Sequence, residues 1–212
     1  MARIVIVDYG MGNLASVRNA LLAVGQDAAL SDDPTAVAAA DGIVLPGVGA
    51  FGAGMLNLAR RGLDRAVRQA VAAGRPVLGI CLGMQLMFTE GEEGGLRAGL
   101  GLLEGRVTRL PDGVRLPQIG WNQVILQQAH PVFAGLPAPF WAYFDHTFAV
   151  EGEAPSAALA LTEYGRTYPS VVGRDNLLGI QFHPEKSSRA GLAMLANWGR
   201  MVCDSSSSRR ST

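Results

Sequence analysis

Nowhere in this chain does an apolar run reach the length that a bilayer-spanning helix needs; the longest are strand-sized and broken by glycine, proline or charge. Cysteine is equally scarce. Only Cys81 and Cys203 occur, which argues against a disulfide framework. Three scattered histidines, His130, His146 and His183, share no ligand spacing with those cysteines, so no metal site is expected. Neither sign of charge prevails: 18 Lys and Arg stand against 18 Asp and Glu, and bulk charge suggests neither nucleic acid nor a membrane surface as partner. The first residues, Met1-Ala2-Arg3-Ile4, lack the extended apolar region of a signal peptide, and a cytoplasmic protein is expected. No internal repeat is present. What remains is 212 residues of 49% hydrophobic content, enough for one substantial α/β domain.

The stretch with the most chemical content is Pro76-Val77-Leu78-Gly79-Ile80-Cys81-Leu82-Gly83-Met84-Gln85-Leu86. A short apolar strand, Val77 to Ile80, meets a cysteine with a glycine two residues away on each side, and a helix-like apolar segment follows from Leu82 to Phe88. Strand, sharp turn and helix in that order read as a nucleophile elbow with sulfur as the nucleophile. The glycines would remove side chains that crowd the strand and the helix, and the helix start would favour the thiolate. An isolated cysteine after an apolar strand is equally compatible with a buried core residue.

Earlier in the chain, Arg3 to Val7 reads as a buried strand and Leu14 to Val24 as a helix. Between them Gly10-x-Gly12-x-x-Ala15 fits a dinucleotide fingerprint, with Asp32 and Asp33 about 20 residues on. Against a nicotinamide site, Asp8 and Tyr9 separate strand from glycine, and a carboxylate there would face the pyrophosphate. A second helix is expected near Pro34, capped by Asp33, then a strand from Gly42 to Leu45 ending in Pro46-Gly47-Val48-Gly49-Ala50-Phe51-Gly52. Such a loop can supply an oxyanion donor or be a plain flexible turn. Met55 to Ala73 reads as helical with an interruption at Gly62, and Gly91 to Gly105 as a surface loop. Strands are expected at Arg106 to Leu110, Gln118 to Leu126, Phe140 to Val150, Ala157 to Thr162 and Pro169 to Gly173, extending or covering one edge of a single sheet.

Leu177 to Phe182 is the last apolar strand, and it delivers His183-Pro184-Glu185. Pro184 has no N–H, so pairing should stop there, and the period of two in extended chain would set Glu185 beside His183. A base with its own orienting carboxylate is the arrangement that a cysteine nucleophile needs. A helix is expected from Ser187 to Met201, completing a domain of residues 1–203, with a disordered polar tail over 204–212.

Taken together, Gly79-Ile80-Cys81-Leu82-Gly83-Met84-Gln85 and Phe182-His183-Pro184-Glu185-Lys186-Ser187 resemble the class I (triad-type) glutamine amidotransferases. Asp8 to Leu14, Pro46 to Phe51, Gly120-Trp121-Asn122 and Thr162 to Gly165 resemble the branch of glutaminase subunits from imidazole glycerol phosphate synthases. The resemblance covers nearly the whole chain apart from the last eight or so residues. It implies an α/β fold, a mixed and mostly parallel sheet flanked by helices (flavodoxin-like), with no cofactor and no nicotinamide at Gly10 and Gly12. It implies a triad of Cys81, His183 and Glu185, oxyanion donors at Leu82 and at Val48 or Gly49, and glutamine contacts from Gln85, Gly52, His146, Thr147 and Phe148. The loop at Val48 is implied to be wrongly oriented at rest. Partner contacts are implied at Asn13, Trp121 and Tyr143, the partner being a (β/α)₈ cyclase subunit that takes up ammonia. Two departures stand out: the family usually has histidine where Gln118 stands and often a small apolar residue where Asp145 stands. A cysteine hydrolase acting alone on peptides would keep Cys81 and His183 but gives no reason for Gln85 or the Tyr9 turn. A non-catalytic binding module would not need Cys81, His183 and Glu185 intact.

Overall fold

A computed structural model describes residues 2–152 and 157–210. The first half alternates strand and helix: β1 (Ile4–Val7), α1 (Leu14–Ala23), β2 (Ala28–Ser31), α2 (Pro34–Ala38), β3 (Gly42–Leu45), α3 (Phe51–Arg60), α4 (Leu63–Ala72), β4 (Val77–Ile80) and α5 (Leu82–Leu86). The second half is strand-rich: β5 (Phe88–Gly91), β6 (Arg97–Ala98), β7 (Leu103–Arg109), β8 (Gln118–Leu126), β9 (Phe140–His146), β10 (Phe148–Val150), β11 (Ala158–Glu163), β12 (Thr167–Arg174), β13 (Leu177–Ile180) and the closing helix α6 (Ser188–Arg210).

Nine strands form one sheet in the order β2-β1-β3-β4-β13-β12-β11-β8-β9. The first five run parallel, and β12, β11, β8 and β9 continue it antiparallel. Strands β1, β3, β4 and β13 are apolar throughout because both faces of the sheet are covered. Alternation divides them between two cores: Ile4, Ile6, Val44 and Leu78 belong to the one that includes Leu21 of α1 and Trp198 of α6, and Val5, Val7, Ile43 and Val77 to the one that includes Leu58 of α3 and Val67 of α4.

The expected α/β architecture is therefore present, with differences of physical interest. The stretch 140–150 is not one strand; the chain leaves the large sheet after His146 and enters a second, four-stranded sheet, β10-β7-β5-β6. The segment from Gly91 to Gly105 is correspondingly not a plain loop. Its backbone pairs with the elbow region, Leu100 N–H donating to Leu86 O at 2.7 Å and Leu102 N–H to Met87 O at 2.8 Å. Strand β2 was not expected, since Asp27 to Ser31 has only a short apolar core. Gly62 does interrupt the long helix, at φ +69°.

The polar tail is also corrected, for α6 continues as helix to Arg210. Polarity does not prevent it, because Ser206 and Ser207 hydroxyls donate to Cys203 O and Ser208 to Asp204 O, while Arg209 reaches the carbonyls of Gly74 and Asp41. Val202, fully buried, anchors the preceding turn against Gly42. Residues 211–212 lie outside the described residues.

The tightest joint is at Gly83, where an added Cβ would fall inside the van der Waals shell of Leu45 O. Gly83→Ala is expected to destabilise by at least the upper end of the roughly 1–3 kcal/mol typical of overpacking. Urea unfolding measures it, and a loss under about 1 kcal/mol would show that α5 can move off β3 freely.

Candidate active site

Cys81 joins β4 to α5 with φ +52° and ψ −112°, a conformation that non-glycine residues rarely adopt. Its N–H donates to Ile180 O at 2.7 Å and its carbonyl accepts from Gln85 N–H at 3.1 Å, so β13 and α5 both hold the turn. The flanking glycines are required: a Cβ on Gly79 would lie 2.7 Å from Met84 N. The helix itself is shorter than expected, five residues, with Phe88 in β5 instead. A single turn carries little macrodipole, so specific side chains around the sulfur matter more.

His183 follows β13, and its N–H donates to Tyr143 O at 2.9 Å. The expected extended path does not bring Glu185 to it. Pro184–Lys186 form one 3₁₀ turn, and this turn presents Glu185 Oε1 to His183 Nδ1 at 2.8 Å, both side chains being almost wholly buried. Ser187 locks the turn by donating to His183 O at 2.7 Å while accepting from Tyr143 N–H at 2.9 Å. Glu185 Oε2 has no hydrogen-bond partner among the described residues, which leaves His183 as the contact that offsets this buried carboxylate.

Burial alone would push the His183 pKa down. Hydrogen bonds to Cys81 and Glu185 and the charges of both outweigh it, and the pKa rises to about 10. His146 behaves oppositely. Burial lowers it to about 4 despite its contact with Phe148 O, with His183 and Arg166 adding to the depression. It is therefore neutral near pH 7, with Nδ1 2.9 Å from Phe148 O and Nε2 3.3 Å from the Tyr168 hydroxyl, which donates to Gln118 Oε1 at 2.8 Å. Gln118, one of the two departures from the family pattern, thus belongs to a buried network behind the site.

The cavity at Cys81 has a volume of about 310 Å³. Val48, Gly49, Cys81, Leu82 and Gln85 line one part, and His146, Thr147 and Phe148 another, so the structure brings these expected residues together. Gly52 is not among them. It lies in the first turn of α3 and faces Arg97, in an adjoining depression that shares Ala50 and Glu93 with the cavity. A larger depression of about 770 Å³ around Arg60 to Arg65 is lined, among the described residues, by no cysteine, histidine or carboxylate.

Leu82 N–H, expected to face an oxyanion, instead donates to Gly47 O at 3.3 Å. The loop is held there by Tyr9, fully buried, whose hydroxyl donates to Pro46 O at 2.7 Å. Tyr9 is thus a residue whose part in the site was missed, although Asp8-Tyr9 before Gly10 already spoke against a dinucleotide turn. Glu93 was missed as well, within a glycine-rich acidic run that reads as a surface loop. It lines the cavity and accepts from Phe51 N–H at 2.8 Å. Asp145, Pro117 and Ala50 complete the lining.

Of the expected partner contacts, Trp121 and Tyr143 pair across β8 and β9 with their rings edge to face at 6.3 Å. Trp121 is 51% exposed, and Ile119 and Trp141 on the same face are more so. Lys186 Nζ stands 5.3 Å from the Tyr143 ring centre. Asn13 is partly buried at the start of α1 and its side chain makes no capping bond.

An elbow cysteine and a buried histidine with its carboxylate thus stand together at one end of the parallel strands of an open α/β sheet. The family profile described as "Glutamine amidotransferase class-I" matches residues 5–201, and the chain belongs to this family. Its relatives include proteins named "Imidazole glycerol phosphate synthase subunit HisH". That of Symbiobacterium thermophilum is 82% identical over 212 residues, the whole of both chains, and that of Moorella thermoacetica 48% identical over 202 residues, 95% of this chain and 96% of the other. Among solved structures, a putative GMP synthase protein from Thermoplasma acidophilum shares the fold at TM-score 0.75 and 19% identity, covering 99% of this chain and 98% of its own. Among the described residues, no helix is long and apolar enough to cross a membrane.

The two histidines have opposite effects on stability. His183 adds stability that is complete below about pH 6.5 and lost as pH rises toward about 10, whereas His146 subtracts stability as pH falls from about 6.5 toward about 4. In His146→Gln, the stability lost between pH 6.5 and pH 4 should shrink by up to roughly 3 kcal/mol. Urea unfolding across that window tests it, and unaltered acid sensitivity would mean that His146 accepts a proton inside the fold.

Proposed function

We propose that this chain is the glutaminase subunit of an imidazole glycerol phosphate synthase and passes ammonia to a (β/α)₈ cyclase subunit. The observation that carries the reading is the conjunction of Cys81 on the cavity wall with a buried His183 whose Nδ1 lies 2.8 Å from Glu185 Oε1 and whose pKa Cys81 and Glu185 together raise. Cys81 Sγ attacks the side-chain amide carbon of glutamine, and the proton held by His183 goes to the departing nitrogen, so ammonia leaves and a glutamyl thioester remains. Water then gives a proton to His183 as it attacks the thioester, releasing glutamate and restoring the thiol. No step requires a metal or a cofactor.

Glutamine binding has a charge basis on the cavity wall. Gln85 and the 146–148 segment contact the amino acid, and the carboxylates of Glu93 and Asp145 suit its ammonium group. A volume of about 310 Å³ favours one amino acid over an extended peptide. A free thiol as nucleophile suits the reducing cytoplasm.

The bond from Leu82 N–H to Gly47 O supports a resting state in which one oxyanion donor is occupied. In the competent state, Leu82 N–H and an N–H of Val48 or Gly49 turn to the tetrahedral oxyanion, a population shift driven by the partner with its own ligand. Covering the exposed face of β8 and β9, where Ile119, Trp121 and Trp141 stand, would cap the site, since Pro117 and Asp145 at the ends of that face line the cavity. Asn13 and Tyr143 are the further contacts of this reading.

Glutamate release is to be measured for the chain alone, with a cyclase subunit, and with that subunit plus its ribonucleotide ligand. Little release alone and a large rise in the complete mixture are expected; equal rates in all three would reject the gating. Cys81→Ala should abolish glutamine hydrolysis yet leave the complex able to use added ammonia. Loss of both activities would reject the division of labour between the subunits. In Glu185→Gln, turnover should fall by more than stability does, and an unchanged rate would remove Glu185 from the triad.

A further inference from the structure

One buried side chain beside the nucleophile has no role in the reaction as described. Gln181 follows β13 directly and has no exposed surface. Its Nε2 lies 3.8 Å from Cys81 Sγ, and its Oε1 accepts from Gln85 Nε2 at 3.1 Å. Gln85 Nε2 also donates to Phe148 O at 2.8 Å. That carbonyl can only accept, so the Gln85 amide nitrogen must face it and offer its second hydrogen to Gln181. Gln181 must answer with oxygen, and its own NH₂ group is thereby turned to the sulfur. The Phe148 carbonyl is itself anchored, as it also meets His146 Nδ1 at 2.9 Å.

The two protonation states of the sulfur make opposite demands on these neighbours. A thiol can donate to Asp145 O, 3.9 Å away, whereas a thiolate can only accept and gains nothing from that carbonyl. A clamped amide donor suits the thiolate, and a donor to an ionised acceptor is the stronger kind of hydrogen bond. With only five residues in α5, little of that stabilisation comes from a helix dipole.

We propose that Gln181 is a positioning residue for the nucleophile: its side-chain amide, clamped by Gln85 and the Phe148 carbonyl, holds the Cys81 thiolate in place for attack. The inference deepens the glutaminase reading and takes from it Cys81 as the nucleophile. The other titratable groups around the sulfur are His183 with Glu185 behind it, Glu93 and Asp145 on the cavity wall, neutral His146, and the buried phenols of Tyr9 and Tyr168. Replacing Gln181 alters none of these chemically.

The test is the pH dependence of Cys81 alkylation by iodoacetamide in the full chain, followed by peptide mass spectrometry so that Cys203 is scored separately as an internal control. It reads the sulfur directly, so a chain that failed to hydrolyse glutamine would still report on Gln181. Gln181→Leu removes the donor at similar volume. Gln181→Glu keeps an acceptor for Gln85 in a side chain of the same shape and replaces the donor with a carboxylate. The Cys81 midpoint should rise by about one pH unit in Gln181→Leu and further in Gln181→Glu, with about tenfold slower alkylation below both midpoints in the first. The Cys203 profile should not move. A Cys81 midpoint unchanged in Gln181→Leu would overturn the proposal and leave Gln181 as core filling, whatever its effect on stability, because a carboxylate in Gln181→Glu repels the thiolate in either case.

Discussion

The approach of α5 to the ends of β3 and β4 is the contact on which the site depends. Gly79 and Gly83 allow helix backbone to lie against strand backbone, and only that closeness turns the chain at Cys81 through φ +52°. The same closeness brings the Pro46–Gly47 segment against Leu82, so Cys81 and the carbonyl that occupies its neighbouring N–H are set by one joint. The strain at Cys81 persists because Ile180, Gln85 and the packed glycines over-determine it.

From this joint the electrostatics follow. Three parallel strands, β3, β4 and β13, release their chains at one edge of the sheet, where open α/β folds gather their functional groups. The Pro46–Gly49 loop, Cys81 and His183 each follow one of them. Burial at that edge pushes both His146 and His183 toward the neutral form, and only His183 has Cys81 and Glu185 to reverse it. Two imidazoles in one site thus differ in charge at the same pH, His146 as a neutral member of a hydrogen-bond network and His183 as the protonated partner of Glu185. Tyr143 connects this edge to the exposed hairpin, since its backbone bonds both His183 and Ser187 while its side chain stands beside Trp121.

Much of this was legible from local pattern. Apolar β-branched runs marked β1, β3, β4 and β13, Asp33 before Pro34-Thr35 marked the cap of α2, and glycines about Cys81 marked the elbow. Other features were hidden because they depend on pairing across long separations. Gly91 to Gly105 looks like a loop until its backbone meets Leu86 and Met87. A serine-rich tail looks disordered until Val202 and Arg209 are given surfaces to dock on. The period-two argument put Glu185 beside His183 for the wrong local reason, a 3₁₀ turn achieving what extended chain was expected to do.

By itself the sequence determined which residues can do chemistry and the order in which strands deliver them, because residue type, glycine spacing and hydrophobic period act over a few neighbours. Tertiary structure alone decided that Tyr9 holds the Pro46 carbonyl, that Glu93 borders the cavity, that Gly52 does not, and that Gln181 meets Cys81 across 100 residues. Those outcomes depend on how separate elements pack, and the direction of a buried amide or the partner of one N–H is set only when every neighbouring donor and acceptor has been placed.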